Sequence, residues 1–325
     1  MSIISNRYEI LFLYECKDCN PNGDPLDENR PRTDPETGEA TVTDVRIKRT
    51  VRDYFVNQEP DVEKRIANGT EVLIRDTDKA DGTLSQGSDR ANQFLTEATK
   101  GLKKHEKRNA LEKLILSACI DARLFGMAVP LGKTEPSLQL TGTVQFSAFN
   151  RSLHKVSPVM VQQTAAFAGN AKSNQKSFAE RWLLPYALIA SYGVINEVSA
   201  RTTKMTEADL QFLLDGLWWG TAGLNTHSKM GHDPLLMVLA EYNAGQRLGK
   251  LSRRIKMIAD KADTALRSTE DYKLDVSNLL EAFKDCNALN SITVKQDKLL
   301  QCQNGETQGD FIKLAEQAGL SVKKL

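Results

Sequence analysis

The sequence has almost no net charge and no long apolar run, and each absence excludes a class of protein. Its 325 residues carry 43 Lys and Arg against 42 Asp and Glu, a formal net charge of +1. A polycation that holds nucleic acid by bulk charge alone is therefore excluded. The apolar runs at 10–14, 183–190 and 235–240 are too short to cross a membrane, so we expect no membrane contact. Hydrophobic residues make up 40% of the chain, which is typical of a globular protein. At 325 residues, we expect either one large domain with insertions or two domains.

Cysteine and histidine are scarce, with five of the first and four of the second. An odd cysteine count in a long chain indicates reduced thiols, and no signal peptide is recognised, so we expect a cytoplasmic protein. Cys16 and Cys19 form a C-x-x-C. Neither a second pair nor two suitably spaced histidines follow, so no zinc site is predicted. We interpret the scattered histidines as ordinary polar or core residues: His105, His154, His227 and His232.

The common nucleotide-binding and hydrolase motifs are also missing. The chain has no Walker A loop, no G-x-G-x-x-G and no G-x-S-x-G. Carboxylates cluster at 18–44 and could hold Mg²⁺, but solvated loops have the same composition, and we prefer that interpretation. The sequence therefore predicts no catalytic residue, no metal ion and no cofactor.

The hydrophobic pattern predicts an α+β protein, an antiparallel sheet with helices on one face and long insertions. The predicted strands lie at 7–14, 71–75, 127–129, 138–149, 183–195 and 234–242. The predicted helices lie at 45–55, 89–99, 103–120 and 207–219, with further amphipathic helices from about 249. The stretch 16–43 holds four of the ten prolines and is predicted to be a long irregular loop, which in a compact protein is usually functional.

The helix predicted over 45–55 has the sharpest local pattern. Ile47, Val51 and Phe55 recur on one face, and Thr43 is the expected N-cap. Four cations lie away from the apolar face on one exposed stripe and could neutralise successive phosphates, although charge runs are more often solvated. The cations are Arg46, Lys48, Arg49 and Arg52.

The segment 151–181 combines basic flanks with an uncharged centre at 159–167. This composition suits a projecting hairpin that follows a phosphate backbone and wedges an apolar tip between bases. It equally suits a partly ordered surface loop.

Several blocks resemble the Cas7 (DevR-type) backbone subunits of type I CRISPR surveillance complexes, called Cascade, and the type I-B branch is the most similar. The first block is highly specific: it reads NPNGDP at 20–25, NRPRTDPETG at 29–38 and VTDVRIKRTVRDY at 42–54. Supporting blocks lie at 121–126, 140–146, 151–154, 184–189 and 226–231. The match runs in order through residues 5–245 and leaves the remainder uncovered.

This resemblance implies a fold and an assembly. The fold would be a single domain over 1–325 with an RRM-like (ferredoxin-like) palm, an RNA-side loop at 16–43, a helical finger insertion at 60–120, a thumb hairpin at 150–181 and a helical C-terminal region at 249–325. Copies would assemble head to tail along a CRISPR guide RNA. Each thumb would displace one base and leave the bases between free to pair with target DNA. The further partners implied are the repeat-end, small and large Cascade subunits.

By position, the resemblance implies RNA contacts from the first-strand loop, the first helix, the thumb and a palm loop. The residues are Asn20, Asn22, Gly23, Thr43, Arg46, Lys48, Arg49, Arg52, His154, Met160, Gln162, Gln163, Phe167, Thr226, Ser228 and Lys229. Related type III backbone subunits cut RNA with a loop aspartate, so a Mg²⁺-dependent endoribonuclease that uses Asp24 or Asp34 is the alternative. A third alternative is a structural protein whose basic surfaces only mediate self-assembly.

Overall fold

The computed structural model describes residues 2–77, 82–96, 99, 101–131, 137–168 and 176–325, without the side chains of 163–168 and 176–179. The strands are β1 (Arg7–Cys19), β2 (Gly23–Asp24), β3 (Arg30–Pro31), β4 (Glu39–Thr43), β5 (Gly126–Val129), β6 (Leu138–Thr141), β7 (Val144–Phe146), β8 (Phe149–Lys155), β9 (Val159–Ala168), β10 (Lys176–Ile195), β11 (His232–Tyr242), β12 (Lys256–Ile258), β13 (Lys273–Asp275), β14 (Leu289–Gln296), β15 (Cys302–Asn304), β16 (Thr307–Gly309) and β17 (Val322–Lys324). The α-helices are α1 (Asp44–Gln58), α2 (Val62–Asn68), α3 (Gly87–Asn92), α4 (Lys104–Ala118), α5 (Ile120–Phe125), α6 (Glu197–Thr203), α7 (Glu207–Ala222), α8 (Ser277–Lys284) and α9 (Phe311–Gln317).

A largely antiparallel sheet forms the centre of the molecule. Its strand order is β17-β14-β11-β1-β10-β8-β4, and β7 and β9 also pair with β10. Among its pairs, β14 and β17 run parallel. The predicted α+β class with an antiparallel sheet is thereby confirmed.

Strand β1 is central because both of its faces are buried. Ile10, Phe12 and Tyr14 contribute to one hydrophobic core, and Leu11 and Leu13 contribute to a second core on the opposite face. Side chains alternate across a strand, so a continuous apolar run such as 10–14 covers both faces at once. The strand extends five residues beyond the predicted 7–14 and ends at Cys19.

Helices α1 and α7 cover the first face. Ile47, Val51 and Phe55 of α1 are buried, as the sequence pattern predicts, and Thr43 caps the helix by accepting a hydrogen bond from the Arg46 amide at 3.3 Å. The predictions of α7 and of the central strands β10 and β11 are also confirmed.

The C-terminal region covers the second face, and its predicted all-helical character is wrong. Residues 256–324 form short strands around two short helices, α8 and α9. Strand β14 pairs with β11 and so extends the central sheet. The apolar residues of this region occur in runs of only a few residues, for which helix and strand periodicity cannot be distinguished.

Helices α2 to α5 lie together in sequence, and an apolar cluster of their own, to which Ile115 of α4 contributes, packs among them. The predicted strand at 71–75 is wrong, because Glu71 forms only an isolated bridge to Cys119. Glu71 is instead buried, where its carboxylate accepts hydrogen bonds from Arg65 at 2.7 Å and from Arg90. Helix α3 is shorter than the predicted 89–99, and the helix predicted over 103–120 is divided into α4 and α5.

Two further predictions concern the segments 16–43 and 151–181. The stretch 16–43 is ordered, and it contains the β2–β3 ribbon and the edge strand β4. Strand β9 pairs antiparallel with the first half of β10, from Val159 opposite Leu183 to Ala168 opposite Lys176, and this pair is called the β9–β10 hairpin below. This pairing agrees with the hairpin alternative for the segment 151–181. Within the part of the chain that the structure describes, no helix is long and apolar enough to cross a membrane.

Candidate nucleic-acid interface

The loop after β1 is fixed to the first turn of α1. The Asn22 side-chain oxygen accepts hydrogen bonds from the Thr43 backbone amide at 2.9 Å and from the Thr43 hydroxyl at 3.0 Å. The same hydroxyl caps α1. Asn22 and Thr43 were both expected to contact RNA. Together they fix the N-terminal end of α1, which carries a partial positive charge, relative to the loop.

Gly23 and Asn20 hold the same loop in shape. A Cβ atom on Gly23 would lie 2.8 Å from the Asn29 backbone oxygen, which cannot rotate away, so a larger residue would force the loop backbone to shift. The Asn20 side chain is buried, and its Nδ2 donates to the Asn29 carbonyl at 2.7 Å. Its backbone amide donates to the Ser228 carbonyl at 2.8 Å. Burial limits the Asn20 side chain to holding the loop.

The palm-loop residues at 226–229 lie directly against this loop. The Lys229 ammonium donates to the Asn20 carbonyl and to the Pro21 carbonyl at 3.0 Å. Burial, together with the nearby Arg46 charge, lowers the pKa of Lys229 to about 8. Thr226 is exposed, and its carbonyl closes the turn by accepting from the Lys229 amide at 2.9 Å. The first-strand loop and the loop at 226–229 are therefore in direct contact.

The prediction of one exposed cationic stripe on α1 is wrong. Arg52 is buried and forms an ion pair with Asp121 at 2.8 Å. Lys48 lies on the same side, half-buried and paired with Asp44 at 2.8 Å. Residues four apart share a helix face, and Phe125 packs under both cations.

Arg46 and Arg49 lie on the other side of α1. Arg46 is half-buried, and its guanidinium donates to the Thr50 hydroxyl at 2.9 Å. Burial lowers its pKa from the usual value. Arg49 is 52% exposed and pairs with Asp53 at 2.7 Å. Arg49 is therefore the cation of the original four that is most accessible to a phosphate.

The base of the β9–β10 hairpin adds groups outside the predicted set of RNA-contacting residues. The Arg30 guanidinium lies over the Trp182 ring, 4.6 Å from its centroid. Arg181 contacts His227 of the palm loop, with 2.6 Å between Nη1 and Nε2. Arg30 belongs to the NRPR sequence at 29–32, whose two arginines around a proline were the available signal. The ribbon, the hairpin and the palm loop therefore meet at one place.

On the hairpin itself, Met160 is 51% exposed, and Gln162 is exposed and donates to Glu180 at 3.3 Å. Gln163 and Phe167 were expected to contact RNA, but their side chains lie outside the described residues.

His154 does not lie at this surface. It is buried, its Nε2 accepts from the Leu188 amide at 3.2 Å, and its Nδ1 lies 2.9 Å from the Lys155 carbonyl. Burial lowers its pKa. Both ring nitrogens have internal partners, so the expectation of an RNA contact from its side chain is wrong.

The two aspartates of the ribonuclease alternative are engaged in local structure. Asp24 pairs with Arg32 at 3.1 Å. Asp34 accepts from two turn amides and from Arg151 at 2.6 Å, and these bonds hold the pKa of Asp34 down at about 2. Neither aspartate belongs to a potential metal-binding group within the described ranges.

One group of potential metal ligands does occur, and the sequence interpretation did not foresee it. Cys16, Cys19 and His232 are all buried, and their donor atoms lie within 4.8 Å of one another. A hydrogen bond from Cys16 lowers the pKa of the Cys19 thiol to about 6, while burial raises that of Cys16. Only the pairing of β1 with β11 brings His232 to the C-x-x-C.

Comparison with known proteins gives a consistent result. A family model described as CRISPR-associated protein Cas7 matches residues 6–277. A Haloferax volcanii protein named CRISPR-associated protein Cas7 is 27% identical over 335 aligned residues, which cover 93% of this chain and 90% of that protein. A chain from a solved structure named CRISPR RNA-guided surveillance complex, pre-nicking, superposes with a TM-score of 0.55 at 13% identity, covering 96% of this chain and 98% of that chain. At that identity, the last comparison concerns the fold alone.

Proposed function

The chain belongs to the CRISPR-associated protein Cas7 family, and we propose that it is a non-catalytic, guide-RNA-binding backbone subunit of a type I, I-B-like surveillance complex. Three elements converge where β1 ends: the capped start of α1, the palm loop at 226–229 and the base of the β9–β10 hairpin. The proposal rests on this convergence.

The topology supports an RRM-like palm. Along the chain, β1, α1, β7 with β8, β10, α7 and β11 follow one another as strand, helix, two strands, helix and strand. In the sheet they lie in the order β11-β1-β10, with β8 and β7 next to β10. This order supports the proposed palm, because it is the order expected of the split βαβ arrangement of ferredoxin-like folds. Helices α2–α5 then correspond to the finger, and the β9–β10 hairpin corresponds to the thumb.

The charges at the surface suit a guide RNA that must stay readable. Base pairing with a target requires that the protein hold the guide through its phosphates and leave the base edges free. Arg49 on α1 and Arg30 on the ribbon are arginines on a rigid framework, suited to bind phosphates without selecting bases. The proposed RNA-contacting set now comprises the following residues: Asn22, Gly23, Arg30, Thr43, Arg46, Arg49, Met160, Gln162, Arg181, Thr226, Ser228 and Lys229.

The proposed assembly is a head-to-tail series of copies along the RNA. Heterologous contacts that do not close produce a filament, whose length the RNA and the end subunits must then determine. The repeat-end, small and large subunits would complete the complex, and target DNA would bind through it. Near-neutral net charge favours such packing, because copies of a strongly charged chain repel one another.

The ribonuclease alternative is less favoured by the side chains that the structure describes. A catalytic carboxylate that holds Mg²⁺ needs free oxygens and further oxygen ligands nearby. Asp24 and Asp34 are instead paired with arginines. If the alternative holds, RNA incubated with the protein and Mg²⁺ is cut, and Asp24→Ala or Asp34→Ala abolishes the cutting.

The proposed RNA surface is tested by measuring the affinity for several unrelated RNA sequences over a range of salt concentrations. Arg49→Glu should weaken binding to all of them alike, and Arg49→Ala should lower the salt slope by about 0.7. Lys284→Glu, at an exposed lysine on α8, is the matched control. Equal affinities for Arg49→Glu and the control would refute this surface.

A further inference from the structure

The register of the central sheet brings the C-x-x-C and a distant histidine together. Cys16 lies directly opposite His232 in the β1–β11 pair. Asp18 has a φ of +51°, so the strand is locally irregular between the two cysteines. Cys16 and Cys19 both belong to the same core, although residues three apart on a regular strand face opposite sides.

The spacing of the donor atoms fits a small, soft cation. The Cys19 sulfur lies 3.4 Å from His232 Nδ1, and all three donors lie within 4.8 Å of one another. With Zn–S near 2.3 Å and Zn–N near 2.0 Å, neighbouring ligands of a tetrahedral zinc ion are about 3.5–3.8 Å apart. The widest pair therefore has to close by only about 1 Å.

We propose that Cys16, Cys19 and His232 bind a zinc ion that joins the end of β1 to the start of β11. The two thiols release their protons to solvent as the Zn–S bonds form, and the imidazole binds through a nitrogen lone pair, so no oxidant or reductant is needed. Two thiolates balance the charge of Zn²⁺, which makes the loaded site neutral in its buried position.

The surroundings restrain the histidine and leave room for a fourth ligand. The Lys229 carbonyl lies 2.5 Å from His232 Nδ1, the nitrogen that also faces the Cys19 sulfur, so zinc binding through Nδ1 has to displace this hydrogen bond. A cavity of about 70 Å³, lined in part by Cys19, Asn20 and Ser228, adjoins the site. That volume is sufficient for a water molecule as the fourth ligand.

The consequence of the metal would be structural. The site lies directly under the loops that carry Asn20 and Ser228, which hydrogen-bond each other through their backbones. A zinc ion there would hold both loops in register. The inference concerns metal content and does not depend on whether the protein binds RNA.

Zinc content tests the proposal directly. The full chain, purified with reductant and freed of nucleic acid, should contain about one zinc ion per molecule. Cys19→Ser should lower the zinc content about tenfold, and Cys286→Ser, at a half-buried cysteine outside the group, should leave it unchanged. Zinc retained in Cys19→Ser at the wild-type level would be an adventitious ion only and would overturn the proposal.

A misfolded Cys19→Ser variant would also lose zinc, so two measurements on the wild-type chain test the proposal without a variant. Cobalt added to metal-free protein should give the thiolate charge-transfer absorption and the visible bands of a tetrahedral site. Absence of these bands would overturn the proposal. Thiol titration in denaturant without reductant should find all five cysteines. The loss of two thiols would show that Cys16 and Cys19 form a disulfide, which also overturns it.

Discussion

Arg49 and Arg52 lie less than one helical turn apart on α1, yet they have different surroundings. The Arg49 side chain is 52% exposed and its partner, Asp53, is on the same helix. The Arg52 side chain is 10% exposed and its partner, Asp121, is fully buried on α5. An exposed i,i+4 pair contributes little to stability, whereas a buried pair is costly to break. Mutation of Arg52 should therefore lower stability, whereas mutation of Arg49 should lower RNA affinity and leave stability almost unchanged.

Arg52→Ala is expected to lower the free energy of unfolding by about 3 kcal/mol, because it leaves the Asp121 carboxylate buried without its cation. Arg49→Ala, the matched change, should alter it by no more than about 0.5 kcal/mol. Urea unfolding of both variants gives the comparison. If Arg52→Ala is as stable as the wild type, Arg52 is not the buried structural cation described here.

We expect the buried His154 to make the stability of the protein depend on pH. Burial lowers the pKa of its imidazole in the folded state below the usual 6.5. Protons then bind the unfolded chain more readily, so stability is fully present above about pH 6.5 and is lost as the pH falls towards the folded-state pKa. Between about pH 8 and about pH 5.5, the wild type should lose more stability in urea unfolding than His154→Gln does. Equal losses would show that His154 does not carry this dependence.

Sequence alone located candidate residues better than it determined their surroundings. The period of Ile47, Val51 and Phe55 defined the buried face of α1. The burial of Arg52 depends on Asp121, 69 residues away, and no local pattern contains that information. The partnership of Cys16 with His232 likewise requires the register of two strands.

At the scale of elements, the long apolar segments were predictable and the short ones were not. Strands β1, β10 and β11 have continuous apolar runs, and α7 has a long helical pattern. Patterns of this length distinguish a strand from a helix, so these elements were predicted correctly. From residue 256 onwards, five strands of three residues and the eight-residue β14 are interspersed with helices of seven or eight residues. Tertiary packing, not local propensity, determines such short elements.

The start of α1 gives a prediction about an element. Thr43→Ala removes the cap and the hydroxyl that binds Asn22, so we expect a loss of about 1 kcal/mol in stability and weaker RNA binding. Thr43→Ser keeps the hydroxyl and should retain both properties. Urea unfolding and RNA titration measure them. A Thr43→Ala variant with unchanged RNA affinity would separate this cap from the proposed interface.

The β9–β10 hairpin gives a second prediction about an element. If the exposed Met160 separates stacked bases, a 2-aminopurine probe at displaced guide positions should fluoresce strongly when bound. Met160→Ala should reduce that fluorescence, and Met160→Leu, which keeps the apolar bulk, should restore it. Met230→Ala, at an exposed methionine outside the hairpin, is the control. Equal fluorescence in all variants would exclude Met160 as the wedge.

At the scale of the whole molecule, one sheet separates two hydrophobic cores. The first core lies under α1 and α7, and the second lies under the C-terminal region, so the sheet is protected on both faces. The end of β1 carries the loops and the hairpin base that we propose hold RNA. A framework buried on both faces keeps those loops in fixed positions, which a subunit that repeats along an RNA requires.

The nucleic acid that copurifies with the protein tests the central claim most directly. The protein would be purified from cells with and without a CRISPR array, and the bound RNA would be extracted, sized and sequenced. The account predicts protected RNA of discrete lengths, enriched in spacer sequence when the array is present. Protein free of RNA in both preparations, forming filaments that survive nuclease treatment, would contradict it and would favour a scaffold that assembles without RNA.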